Sequence, residues 1–302
     1  MKYLFRKLII CWLAIGNFAC HTSQPKRMLG ELPVPTLEDK NWDKILGQKA
    51  VIDSFKILHT GSVQVPLDGV LNPEKVEIKK DSLIWVDVFA YLFHHRERGW
   101  FLIDSGLDSS FQKKGNIKGW FASNYIKASR QAKGQNIGAQ LSREQKEIQA
   151  IYFTHLHGDH SAGLPEIDDR IPKYVAKGEA FIHIPWLYTS NHLNPKDTLR
   201  ELDWEQGFSK APLKSVIDIF GDTSFLGIHT PGHSRSHLSY LLMTEEGPIL
   251  LTGDASHTRY GFEHNIEPGW VDDREKAEDS IQQLIAFKKQ YPQLRVIYGH
   301  QL

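Results

Sequence analysis

Cysteine is almost missing from this chain: 302 residues contain two, Cys11 and Cys20. Both fall at the N-terminal end, so the body beyond them forms no disulfide and offers no thiolate to a metal. Any metal site must therefore be built from histidine and carboxylates. An excess of charge of either sign is also missing, since 36 Lys and Arg balance 36 Asp and Glu. A nucleic-acid binder would show a basic patch or a high pI, so no nucleic-acid partner is expected. Internal repeats and low-complexity tracts are absent. The 12-residue apolar run Leu8 to Ala19 is too short to span a bilayer comfortably. What the chain does hold is histidine: fifteen, several in tight local patterns. Histidine is the commonest metal ligand among side chains, so the clustering needs a reason.

The N-terminal run has another use. Lys2, Arg6 and Lys7 precede it, and Ala19-Cys20 with the polar His21 to Gln24 follows. That order suits a secretory signal over residues 1–20. A small residue before cysteine resembles a bacterial lipoprotein cleavage box, although Asn17-Phe18 departs from it. The expectation is an exported, periplasmic or outer-membrane-anchored lipoprotein with Cys20 lipidated, touching membrane only through that anchor. Residues 21–50, with Pro25, Pro33 and Pro35, read as a tether, and residues 51–302 as one domain.

From Val51 onward, short apolar strands alternate with loops. Ile84 to Phe93 is near-continuously apolar, and Gly99 to Ile103 ends in Asp104-Ser105-Gly106. Leu238 to Met243 and Pro248 to Leu251 make a hairpin around Glu245-Glu246-Gly247. Asp272 to Gln290 is the strongest helix, with Ala277, Ile281, Leu284, Ile285 and Lys288 on one face. Strands with interspersed helices predict a layered α/β domain. The stretch 109–141 mixes Gly115, Gly119, Gly134 and Gly138 with Trp120, Phe121 and Tyr125. It reads equally as a substrate mouth and as a plain surface excursion.

The chemistry starts at His155-Leu156-His157-Gly158-Asp159-His160, directly after the strand Ala150 to Phe153. A strand end presents alternate side chains to one side, so His155 and His157 point at one ion. The turn at Gly158 brings Asp159 and His160 to a second position. Downstream, His233 (Pro231-Gly232-His233), Asp254 (Thr252-Gly253-Asp254) and His300 (Tyr298-Gly299-His300) each follow a short apolar run and a glycine. The repeated order places one donor at the tail of each strand, where donors from distant segments converge.

The order H-x-H-x-D-H, Pro-Gly-His, Gly-Asp and a late Gly-His resembles the metallo-β-lactamase superfamily over roughly residues 50 to 302. The resemblance implies an α/β fold, a four-layer αββα metallo-β-lactamase sandwich in a single domain. It implies one zinc on His155, His157 and His233, another on Asp159, His160 and His300, and Asp254 between them. Manganese or iron would suit the same donors. Asp104 matches the superfamily's early Asp-x-Gly element and is expected to orient a ligand histidine.

Within the superfamily, true β-lactamases are implied to lack the bridging aspartate, and many use a cysteine. Glyoxalase II-type thioesterases carry a helical domain after it, whereas only about 45 residues follow Asp254 here. Thr230-Pro231-Gly232-His233-Ser234-Arg235-Ser236-His237 and Leu251 to Thr258 resemble N-acyl-homoserine lactonases. Where those enzymes often place a tyrosine that assists at the substrate carbonyl, this chain has His257. The expected function is thus a dinuclear zinc hydrolase that opens a small-molecule lactone or ester with a metal-bound hydroxide. Asp254, Asp159 and His257 are the expected proton-handling residues. β-Lactamase, thioesterase, phosphodiesterase and sulfatase activities are the enzymatic alternatives, and a metal-containing binding module is the non-enzymatic one. Among other histidines, His94-His95 reads as a solvated turn. His59, His183, His192 and His229 read as structural, and His237 and His264 fall near the expected cleft.

Overall fold

Alternation along the strands sorts side chains between two faces. In the strand Leu83–His95, Phe89, Tyr91 and Phe93 join one apolar cluster while Ala90 and Leu92 join another. In Leu238–Thr244, Tyr240 and Leu242 face the first cluster and Leu241 and Met243 a third. The computed structural model describes residues 25–33, 41–117, 125–180, 183–184, 188–189, 192–193 and 196–302. The leader reading and its Cys20 lie outside these residues. No helix among the described residues is long and apolar enough to cross a membrane.

Two β-sheets stack face to face and meet edge to edge at a single pair, Thr244 beside Ile52. The first runs through Lys26–Leu29, Thr198–Leu202, Lys173–Ala176, Ile148–Tyr152, Gly99–Ile103, Leu83–His95 and Ile52–Pro66 in spatial order. The second is antiparallel from Phe208–Lys210 to Gly247–Leu251 and closes with Arg295–Ile297 in parallel. Between them lies an aromatic core. The Phe225 ring is 4.9 Å from Phe93 and 5.1 Å from both Tyr152 and Tyr240. The helix Arg274–Gln290 covers the outer face of the second sheet with Ala277, Ile281, Leu284 and Phe287. The shorter Ile137–Glu144 covers the first with Ile137 and Leu141. This is the expected four-layer αββα arrangement in a single domain.

Several expectations shift. Parts of the 21–50 stretch belong to the fold rather than to a tether. Lys26–Leu29 pairs in parallel with Thr198–Leu202, and Trp42 and Ile45 of the helix Trp42–Gly47 are buried against Phe287 and its neighbours. Backbone pairing and a buried indole outweigh the prolines that suggested a linker. The long helix begins at Arg274, because the Asp273 side chain caps it by accepting from the Lys276 N–H. His95 is not in a solvated turn: it ends its strand fully buried, with Nε2 2.9 Å from Asp222.

Candidate metal centre

Five segments end at one rim of the sandwich, each just after a strand. Asp104 follows Gly99–Ile103, and His155 follows Ile148–Tyr152. His233 follows Phe225–His229, Asp254 follows Gly247–Leu251, and His300 follows Arg295–Ile297. Parallel pairing in each sheet aligns these carboxyl ends, and so gathers polar side chains where backbone pairing stops. The close packing there needs glycine. A Cβ on Gly299 would overlap the Asp254 carboxylate. At Gly158 the constraint is milder and comes from the end of a flexible side chain rather than from the turn. Gly158 opens a short helical turn, and its missing Cβ leaves room for Ile117 Cδ1, which would stand 2.7 Å from it.

All seven expected ligands converge. Donor atoms of His155, His157 and His233 lie within 4.8 Å of one another, and so do those of Asp159, His160 and His300. Asp254 sits between the two sets, with Oδ1 3.4 Å from His160 Nε2 and Oδ2 3.3 Å from His233 Nε2 and 3.4 Å from His300 Nε2. His257 adds an eighth side chain, its Nε2 3.2 Å from Asp254 Oδ2.

The outer ring nitrogens explain why these faces point inward. His160 Nδ1 is 2.8 Å from the Asp104 carboxylate, which also accepts from the Thr154 N–H and hydroxyl. His155 Nδ1 meets Thr154 Oγ1 at 3.0 Å. His233 Nδ1 donates to the Trp270 carbonyl, His300 Nδ1 to that of Asp87, and His257 Nδ1 to that of Val70. Each bond occupies Nδ1 and turns Nε2 toward the centre. Asp104 thus orients His160, the role that the sequence assigned to it.

Inside, the partners run out. His155 Nε2, His160 Nε2 and Asp254 Oδ1 are buried with no hydrogen-bond partner. His233 Nε2 accepts from His157 Nδ1 at 2.9 Å, so these two atoms are partnered only with each other. Bare acceptors so placed cost free energy unless something electropositive satisfies them, and a cation satisfies all of them together. An all His and carboxylate set, without thiolate, suits zinc and also harder divalent ions.

Burial, the dominant influence, drives the His155 and His233 pKa values well below the usual imidazole value and lowers His157 as well. Burial also opposes charge on His160 and His300, but Asp254 and neighbouring carboxylates outweigh it. They hold His160 well above its ordinary value and push His300 up to about 9. Burial would raise Asp254, yet His300, His160 and His257 keep it well below the carboxylate range.

The centre opens into a cleft of about 370 Å³. Val63, Val65, Val86, Ile117, Ile126 and Trp270 give it apolar walls opposite the polar donors. Ile117, Tyr125 and Ile126 belong to the 109–141 stretch, which therefore lines a mouth, while Trp120 and Phe121 lie outside the described residues. His264 stacks on Tyr260 at 4.1 Å, away from the cleft. His237 is buried beneath it, with Nδ1 on Thr230 Oγ1 and Nε2 accepting the Asp254 N–H at 2.9 Å. Sequence reasoning missed Glu179 altogether. It lies in the turn after Lys173–Ala176, fully buried, behind the metal centre.

The sequence profile of the Metallo-beta-lactamase superfamily matches residues 83–300. The chain belongs to that superfamily. Its site is that of a metal-dependent hydrolase. An N-acyl homoserine lactonase of Bacillus sp is 29% identical over 230 residues, 73% of this chain and 84% of that protein. One of Bacillus thuringiensis is 28% identical over 234 residues, with the same coverages of 73% and 84%. Among solved structures, an N-acyl homoserine lactone hydrolase with N-hexanoyl-L-homoserine at its catalytic metal centre superposes with a TM-score of 0.66. It is 25% identical, and the match covers 83% of this chain and 94% of that one. The dizinc quorum-quenching lactonase AidC, 14% identical with a TM-score of 0.52, covering 84% and 90%, shares the fold.

Proposed function

We propose that this superfamily member is a dinuclear zinc hydrolase that opens lactones or esters bearing an apolar acyl group. N-acyl-homoserine lactones are the model substrates, and manganese or iron are alternative metals. The observation that carries the reading is the set of buried, unpartnered ligand atoms of His155, His160 and Asp254, clustered where Asp254 lines an apolar cleft. The similarity to lactonases supports the substrate class.

In this reading His155, His157 and His233 hold one ion, Asp159, His160 and His300 the other, and Asp254 both. Bound there, two divalent ions supply Lewis acidity and lower the pKa of coordinated water. The chain's own residues do the rest. The valines, Ile117, Ile126 and Trp270 take the acyl chain and exclude bulk water, leaving the ester group over the donors. Asp159, partly open to the cleft, and Asp254 carry the proton between attacking water and departing alkoxide. His257, anchored through Nδ1 to the Val70 carbonyl, handles a proton at Nε2 beside Asp254 Oδ2. No nucleophilic serine or cysteine takes part.

Turnover by the metal-loaded protein of a panel of acyl lactones, aryl esters, phosphodiesters and a chromogenic cephalosporin tests the proposal. Lactones or esters should be the fastest by orders of magnitude; a preference for phosphodiesters or the cephalosporin overturns it. His257→Ala should lower lactone kcat, and unchanged turnover would remove the role given to His257. Export with lipidation of Cys20 is also proposed, resting on the Lys2 to Cys20 pattern. Labelled palmitate incorporation that Cys20→Ala abolishes would support it, and equal labelling of the variant would refute it.

A further inference from the structure

Behind the centre, one buried carboxylate reaches segments that carry three of its imidazoles. Glu179 Oε2 accepts the Ser236 N–H at 2.8 Å and the Ser234 hydroxyl at 3.0 Å. The N–H of Leu156, between His155 and His157, also favours the charged form of this carboxylate. Ser234 directly follows His233. Glu179 is only 2% exposed and has no opposing cation in hydrogen-bond contact among the described residues. Its own backbone is fixed as well. The Glu179 N–H donates to the Ala176 carbonyl at 3.1 Å, and Arg27 Nη2 donates to the Glu179 carbonyl at 2.8 Å.

A buried carboxylate without a countercharge is costly and is tolerated where several donors converge on it. These donors come from loops of different sheets. The Leu156 loop leaves the first sheet, and the Ser234–Ser236 loop leaves the second. No comparable tie runs from Glu179 to Asp159, His160 or His300, which are held by Asp104 and the Asp87 carbonyl.

We propose that Glu179 is a positioning residue. It clamps the Leu156 and Ser234–Ser236 loops so that His155, His157 and His233 present one preformed three-imidazole site, and it acts on that site selectively. This inference rests on the two-ion reading above. Outer partners of this kind typically set metal affinity by roughly 10–100-fold.

The test is cobalt(II) titration of the metal-free full chain against a competing chelator, followed by visible d–d absorption, with thermal melting alongside. The wild-type chain should take up two cobalt ions. Glu179→Ala should weaken one of the two sites by roughly 10–100-fold and change its absorption bands, leaving the other site as in wild type. Glu179→Gln keeps one carbonyl acceptor and should fall between them; it decides the matter if the alanine variant does not fold. Asp218→Asn serves as the control, since Asp218 is a buried carboxylate that accepts the Gly221 and Thr223 N–H groups within the fold. It should lower the melting temperature with both affinities intact. The proposal is overturned if folded Glu179 variants keep both affinities and the wild-type spectrum, or if both sites weaken in parallel with the melting temperature. A wild-type chain that binds no cobalt overturns the two-ion reading itself, a failure distinguishable from the loss of the Glu179 effect alone.

Discussion

The two halves of the centre are built on opposite electrostatic plans. His155, His157 and His233 are three imidazoles whose charged forms burial disfavours, so they face inward as neutral bases. Asp159, His160 and His300 pair imidazoles with carboxylates that favour the charged form. The supports differ in the same sense. The first set hangs on a threonine hydroxyl, the Trp270 carbonyl and the loops tied to Glu179. The second leans on the Asp104 carboxylate and the Asp87 carbonyl. Asp254, reached by both, is where the plans join. Thr154 also joins them, since its hydroxyl touches both His155 Nδ1 and the Asp104 carboxylate, but the Trp270 carbonyl and Glu179 serve only the first set and the Asp87 carbonyl only the second, so each half should be breakable through those supports.

Removing a ligand should have the largest effect. His155→Ala should cut lactone kcat/KM by on the order of 1,000-fold or more, because metal-ion catalysis is worth several kcal/mol; steady-state kinetics check this. The next effect concerns pH. Burial pushes Glu179 up to about 7, against the hydrogen bonds from Ser236, Ser234 and Leu156 and with the help of nearby Asp272. A raised carboxyl pKa stabilises the fold fully below the unfolded value and loses that stabilisation as pH rises through the folded value. The metal-free chain should therefore lose up to about 3 kcal/mol between roughly pH 4.5 and 7 through this group. Burial also raises Asp218, to about 6, which adds a slope of the same sign. Urea midpoints of Glu179→Gln should show only the remaining slope; a slope identical to wild type would contradict the assignment.

On the acidic half, Asp104→Asn should weaken metal binding by roughly 10–100-fold at the site holding His160. Combined with Glu179→Gln, the two losses should add in chelator competition, since independent sites add and coupled ones do not. The smallest effect lies beneath both halves. Tyr240 donates from its hydroxyl to the Phe153 carbonyl at 2.7 Å, two residues before His155. Tyr240→Phe should cost about 1 kcal/mol in denaturant unfolding and leave metal stoichiometry intact.

Much of this was legible because the informative residues are side chains at strand tails. His155 to His160 follow a strand in six consecutive positions, and His233, Asp254 and His300 each follow an apolar run and a glycine. Short apolar strands with interspersed helices, and the Ala277-Ile281-Leu284 stripe, conveyed the layers. The backbone partners of the ligands were not legible: the carbonyls of Asp87, Trp270 and Val70 carry no residue signature. Glu179 is a single acid beside a turn, and only the fold brings its carboxyl to loops 23 and 57 residues away in sequence. Trp42 looked like linker because its neighbours are polar, and only tertiary packing against Phe287 gives it a place.

Metal content is the most direct test of the central claim. The full chain, purified without chelator, should carry close to two zinc, manganese or iron ions, and removing them should abolish lactone hydrolysis that added zinc restores. Fewer than one such ion per chain, or hydrolysis that survives complete metal removal, would contradict the account.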